Sequence, residues 1–221
     1  MTAPPDQRSD QIRRAAAELF FNHGFEATTT RGIAQVLGIK SASIYYHYED
    51  KQEILFEIIY STMRELIDRV RVGTEQQTAP ERKLATLIIH HVLMHAHRPK
   101  EAILGDTELR SLTGERRKVV QRLRDEYDRL LTEILSEGRD SGTFDLLDEK
   151  LTAYAILAQC THVGTWYERR GRLSLSEVAL VYVGFGLRLA GAEPMARDEF
   201  DALMASAQAF YEDARPKRVT G

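Results

Sequence analysis

Gly38, standing between two short runs of helical apolar spacing, is the tightest constraint on how this 221-residue chain can fold. Upstream of it, Thr29 occupies a position suited to an N-cap. Ile33, Ala34 and Leu37 follow at i, i+1 and i+4, the spacing of one buried helix face. A residue without Cβ can adopt the left-handed conformation that closes a helix, so Gly38 stops this one. A second short helix is expected from about Ser41 to Tyr48, with Ile44 and Tyr48 turned inward. That leaves Lys40, Ser41, Ala42, Ser43, Tyr45, Tyr46 and His47 facing outward. Two short helices joined by a sharp turn make a helix-turn-helix. The Ser, Tyr, His and Lys donors on its second helix suit phosphates and base edges in a major groove.

The wider segment TTRGIAQVLGIKSASIYYHYEDKQEIL carries a Thr pair, an I-A…G-I turn, a Tyr-Tyr-His-aromatic run and a following Lys. With these features it resembles the N-terminal domain of the TetR family of bacterial repressors, over residues 9 to 59. The resemblance implies an all-α chain. Its three-helix helix-turn-helix DNA-binding module, residues 1–50, would join a larger helical regulatory and dimerisation body, residues 51–221. It also implies a DNA contact set of Thr30, Arg31, Lys40, Ser41, Ala42, Ser43, Tyr45, Tyr46, His47 and Lys51. Tyr45 and Lys51 would rest on phosphates, and Ser41, Ser43, Tyr46 and His47 would meet base edges. Ala42 is small enough for close approach. Two positions depart from the family pattern: Gly32 stands where members often carry an acidic residue, and Lys40 where Ser is usual. Gly32 costs about 1 kcal/mol of helix propensity against Ala and removes a capping-box partner for Thr29. Lys40 cannot cap, which leaves Ser41 as an alternative cap and would shift the helix start by one residue.

Taken in order, residues 1–8 read as a lead-in, and a first helix is expected from about Ser9 to Gly24. It buries Ile12, Ala15, Ala16, Leu19 and Phe20. Asp50-Lys51-Gln52-Glu53 reads as a capping box opening a helix to about residue 71. Gly73 to Pro80 reads as a break. Further helices are expected from about Leu84 to Pro99, from Lys100 to Leu112, and from Gly114 to Gly138. Another runs from Asp148 to Glu168, and one follows the second capping box Ser174–Glu177. That helix, ALVYVGFGLRLAG, is apolar nearly all round, with Arg188 its one charge. Such a helix needs cover on several sides, and a subunit interface involving Val178, Val181, Tyr182, Phe185 and Leu189 supplies it. A homodimer also matches the need for two half-sites in a palindromic operator. Residues 195–214 form a last amphipathic helix, either covering apolar surface of its own chain or grasping a partner. The tail Arg215-Pro216-Lys217-Arg218 reads as disordered.

Charge at first opposes this reading. The chain carries a net −3, and residues 1–51 hold six basic and six acidic side chains, so the module has no basic surplus. Binding must then lean on neutral donors, helix N-termini and a second subunit. The single cysteine, Cys160, excludes an internal disulfide and a Cys-based zinc finger. The N-terminus lacks an apolar signal-peptide core, and no apolar run reaches the roughly 20 residues of a membrane span. A soluble cytoplasmic protein with no membrane partner is expected.

The body offers two chemical leads. His90, His91, His95 and His97 cluster on one helix, and the i, i+4 pair His91–His95 has the spacing of two ligands to one metal. The plainer reading places His91 and His95 in a polar interior patch with His90 and His97 solvated, and no metal or other cofactor is assigned. An acid–base enzyme would recruit this cluster or His162 with Asp106 or Glu108. However, no phosphate loop, nucleophile elbow or HExxH motif accompanies them. Trp166-Tyr167 before Gly171-Arg172-Leu173-Ser174 is similar to a TetR-like subset that senses acyl-CoA thioesters, with Arg170-Gly171 replacing the usual Pro-Gly. A small hydrophobic effector, an acyl-CoA among the candidates, is therefore expected. Its pocket would be lined by Met63, Leu66, Leu87, His91, Met94, Ile103, Tyr127 and Trp166.

Overall fold

The computed structural model describes residues 5–213, and these contain α-helices and one short 3-10 turn, with no strand. The helices are α1 (Pro5–His23), α2 (Thr30–Val36), α3 (Ser41–Tyr45), α4 (Lys51–Glu75), α5 (Pro80–His97) and α6 (Pro99–Thr107). They continue with α7 (Gly114–Asp140), α8 (Glu149–Thr161), α9 (Val163–Trp166), α10 (Leu175–Leu189) and α11 (Arg197–Asp213). The chain divides into two compact units. One comprises residues up to Arg64 together with Arg98–Asp125; the other comprises Glu65–His97 and the chain from Glu126 onward. The division therefore falls inside α4 and inside α7.

The first unit is built on a single apolar cluster. Ile12, Ala16 and Phe20 of α1 meet Phe25, Ile33, Ile44 and Tyr48, and Ile54, Leu55 and Ile58 of α4 complete it with Leu104, Leu112 and Val120. Helix α1 begins at Pro5, ahead of the expected Ser9, because proline's fixed φ suits the first helical position. Gly24 ends α1 at φ +81°, and its N–H reaches the Phe20 carbonyl at 2.9 Å. Asp50 caps α4 by accepting from the Glu53 N–H at 2.6 Å. The Glu53 carboxylate in turn accepts from Glu49, so the reciprocal half of the box is displaced by one residue. The helix expected to Leu112 stops at Thr107, and a 3-10 turn over Leu109–Ser111 follows it.

The second unit is organised on α5, whose residues from Leu84 to His95 are all buried. Helices α8, α9, α10 and α11 pack on it. Two glycines read from sequence as helix breakers lie within helices instead. A Cβ on Gly73 of α4 would sit 2.8 Å from Thr86 Cγ2, and one on Gly138 of α7 would meet the Phe144 ring at 2.0 Å. These positions admit a neighbour; they do not end a helix, and α7 stops at Asp140 before Gly142 at φ +76°. The helix expected over 148–168 is two, because the chain turns at His162 between α8 and α9. The Ser174–Glu177 capping box at the start of α10 forms as expected. Helix α11 lies on α5 of its own chain, with Phe200, Leu203, Met204, Ala207 and Tyr211 buried. The Arg215–Arg218 tail lies outside the described residues. No helix among the described residues is long and apolar enough to cross a membrane.

Candidate nucleic-acid interface and regulatory unit

The helix-turn-helix is set by four local devices. Thr29 Oγ1 accepts the Gly32 N–H at 3.0 Å and opens α2. Gly38, at φ +65°, turns the chain so that the Ile39 N–H reaches the Ala34 carbonyl at 3.0 Å. Lys40 occupies the N-cap of α3 with no side-chain bond, and Ser41 is the first helical residue, so the start is not shifted. Ile44 is fully buried and fixes which face of α3 points out. Tyr48 lies beyond the helix, which ends at Tyr45, yet is buried and anchored through its hydroxyl to Ser9 Oγ at 2.6 Å. Burial pushes this phenol's pKa up, although the Ser9 bond opposes the shift.

The outward side of this frame carries Arg31, Lys40, Ala42, Tyr45 and Tyr46 exposed, with Thr30, Ser41, Ser43, His47 and Lys51 half-buried. Tyr46 is 80% exposed, its ring edge-on to His47 with centroids 5.0 Å apart. An aromatic so exposed gains nothing from the protein interior. Tyr45 is already oriented, because its hydroxyl bonds Thr30 Oγ1 at 3.0 Å across the two helices. Lys51 has an internal engagement that sequence did not show. Its ammonium donates to the Phe25 carbonyl at 2.7 Å and to the Glu26 carbonyl at 3.3 Å, and sits 4.2 Å from the Phe25 ring centre. Asp50, outside the predicted contact set, accepts both bonds of Arg116 at 2.9 and 3.0 Å.

Among the predicted effector-lining residues, Leu66, Leu87, His91, Met94 and Tyr127 are all buried in the second unit. Met63 and Ile103 are half-buried residues of the first unit. Trp166 is 48% exposed and stacks on Tyr182, with ring centres 6.4 Å apart. His91 is held at both nitrogens, Nδ1 against the Tyr127 hydroxyl at 2.9 Å and Nε2 against Thr161 Oγ1 at 3.3 Å. Its ring stacks on His95 at 4.2 Å, nearly parallel. Burial, with His95 beside it, drives the His91 pKa well down and keeps it neutral, while burial drives the Tyr127 hydroxyl well up. Both nitrogens of His91 are thus engaged in hydrogen bonds, and among the described residues no group of three or more ligating side chains assembles. His90 is not solvated, as its position on the helix suggested, but 1% exposed. His97 is exposed and stacks on Tyr211 at 5.1 Å. Thr161, the partner that completes the His91 site, carries no signal in the sequence.

Two family models match the chain. Residues 12–58 match the bacterial regulatory proteins of the tetR family, and residues 77–190 match the tetracyclin repressor-like C-terminal domain. The chain belongs to the TetR family. It is 29% identical over 186 residues to the HTH-type transcriptional repressor KstR2 of Mycolicibacterium smegmatis, covering 83% of this chain and 90% of that relative. It is 28% identical over 158 residues to the fatty acid metabolism regulator protein of Bacillus subtilis, covering 71% of this chain and 81% of that protein. The crystal structure of AibR in complex with isovaleryl coenzyme A and operator DNA superposes with a TM-score of 0.74 at 26% identity, over 80% of this chain and 97% of that one. The expected all-helical architecture and family thus hold, and the family consists of transcriptional regulators.

Proposed function

We propose that this TetR-family member is a ligand-responsive transcriptional repressor that binds a palindromic operator and is released by a small hydrophobic effector. The observation that carries the reading is the outward face of the helix-turn-helix. There Tyr46 stands exposed and Tyr45 is pre-oriented by Thr30 on a frame fixed by Gly38 and Ile44. We assign the contact set to Thr30, Arg31, Lys40, Ser41, Ala42, Ser43, Tyr45, Tyr46, His47 and Lys51. Lys51 acts mainly by holding the turn that follows α1 in place. The module lies within residues 1–50, and the regulatory body follows. The protein acts in the cytoplasm. No catalytic step is assigned to His90, His91, His95 or His97.

The operator is read by a homodimer. Val181, Phe185 and Leu189 of α10 stay 42%, 43% and 40% exposed on one protomer, beside a groove of about 290 Å³ that Gly184, Arg188, Pro194 and Met195 also line. Val178 leaves the expected interface set, because it is buried in its own chain. An acyl-CoA is the effector class supported by the isovaleryl coenzyme A complex of AibR and by the Bacillus subtilis fatty acid regulator. Leu66, Leu87, His91, Met94 and Tyr127 are the lining residues proposed within the second unit, with Trp166 as a further contact of a long ligand. Release requires that the effector prefer the conformation that does not fit the operator, since equal affinity for both shifts nothing.

The deciding experiment is selection of bound sites from a randomised DNA library with the purified protein, followed by titration of a recovered site with acyl-CoAs of increasing length. An inverted repeat and dose-dependent release are expected. Recovery of no preferred sequence overturns the regulator reading. A verified operator that no acyl-CoA releases overturns only the effector class.

A further inference from the structure

Among the described residues of the second unit, two buried side-chain polar atoms have no hydrogen-bond partner: Nη1 of Arg69 on α4 and Nδ1 of His90 on α5. His90 is 1% exposed and the Arg69 side chain 10%. Both lie against one ring, that of Tyr211 on α11. The Arg69 guanidinium carbon stands 3.9 Å from its centre and the His90 imidazole 6.3 Å. The Tyr211 hydroxyl donates to the His90 carbonyl at 3.0 Å, so the ring is latched over the pair. Phe210 sits edge-on to His90 at 5.8 Å and makes the surroundings apolar. Arg69 uses Nη2 for Glu65 at 2.5 Å, which leaves the Nη1 edge of the guanidinium uncommitted.

Burying such donors unpaired costs about 1–3 kcal/mol each, more for a charged group, so two on one ring mark a place built to be filled. We infer that Arg69 and His90 form the polar end of a site for a monocarboxylate with an apolar body, roofed by Tyr211. One carboxylate oxygen accepts from Arg69 Nη1 and the other from neutral His90, protonated on Nδ1. The apolar body runs along Phe210 and Tyr211. A carboxylate matches two donors with two acceptor oxygens. A phosphate would bring a second charge into a site whose one cation already shares itself with Glu65. Entry requires Tyr211 to release the His90 carbonyl and swing aside, so α11 serves as the lid. The inference stands apart from operator recognition, because binding is read directly.

The test is isothermal titration of the full-length protein with butyrate and octanoate at constant ionic strength, with 1-butanol and 1-octanol as controls. Saturable binding of the carboxylates but not the alcohols is expected. Arg69→Lys, which keeps the charge, is expected to weaken it about ten-fold or more through loss of the guanidinium bond. Arg69→Met is expected to abolish it, with far-UV circular dichroism confirming a folded chain. Absence of carboxylate binding, equal binding of the alcohols, or affinity unchanged in a folded Arg69→Lys protein overturns the inference and leaves the site to water. Operator affinity, measured on the same samples, separates failure here from failure of the regulator reading.

Discussion

Replacing Gly73 by alanine sets two known effects against each other at one atom. In an open helix position the change gains about 1 kcal/mol, because alanine loses less backbone entropy than glycine. In this chain the new methyl would lie 2.8 Å from Thr86 Cγ2 and 3.0 Å from His90 Nε2. Neither neighbour yields easily. Thr86 is β-branched, buried, and holds the Arg82 carbonyl at 2.8 Å through its hydroxyl; His90 is 1% exposed. Overpacking of this kind costs about 1–3 kcal/mol, so Gly73→Ala should destabilise by roughly 0–2 kcal/mol net. Thr86→Ser removes the clashing methyl and keeps the hydroxyl. In that background Gly73→Ala should become neutral or stabilising, with a coupling of about 1 kcal/mol between the two sites. Urea unfolding followed by circular dichroism, at one protein concentration, measures all four proteins. If Gly73→Ala alone stabilises by about 1 kcal/mol with no coupling to Thr86, the close approach of α4 to α5 is refuted.

Three further outcomes are expected. Tyr127→Phe removes the bond to His91 Nδ1 in a buried site, so unfolding free energy should fall by about 1–3 kcal/mol; a neutral result in urea would show that His91 is otherwise satisfied. His90 has its pKa driven down to about 4 from the ordinary 6.5, first by burial and then by Arg69, so the unfolded chain binds the proton more tightly. Stability from this group is therefore complete above pH 6.5 and lost as pH falls towards 4, by about 3 kcal/mol at most; His90→Phe should flatten that slope in urea midpoints between pH 7.5 and 5, and His91 should sustain what remains. Lys51→Ala should lower both operator affinity and the stability of the first unit by about 1 kcal/mol, as calorimetry with and without DNA would reveal, because its ammonium holds the Phe25 and Glu26 carbonyls.

What the sequence disclosed was what is decided locally. Thr29, Gly24, Gly38 and the Ser174 box act within a few residues of themselves, and each does in the structure what its residue type allows. Gly73 and Gly138 were misleading because a glycine needed for a left-handed turn and one needed to admit a neighbour look alike in a string. Only the packing of Thr86 and Phe144 separates the two. His90 read as solvated because it stands off the face shared by His91 and His95, and its cover comes from Phe210 and Tyr211, more than a hundred residues later. The outward-facing residues of the helix-turn-helix were legible since α2 and α3 lie close in sequence and Ile44 is the buried residue that orients the second. The interior around His91 was only partly legible: Tyr127 repeats a helical apolar stripe, whereas Thr161 is a small polar residue without pattern.

The stretch matched to the family's C-terminal domain stops at residue 190, but the hydrophobic interior does not. A chain shortened to that point would lose Phe200, Leu203, Met204, Ala207 and Tyr211 from against α5. It would strip the Arg69 guanidinium of its aromatic cover and the His90 carbonyl of its donor. The uncovered stripe would be wet and sticky, and such a fragment should precipitate or recruit foreign chains. For this protein the edge of homology is therefore a poor place to cut.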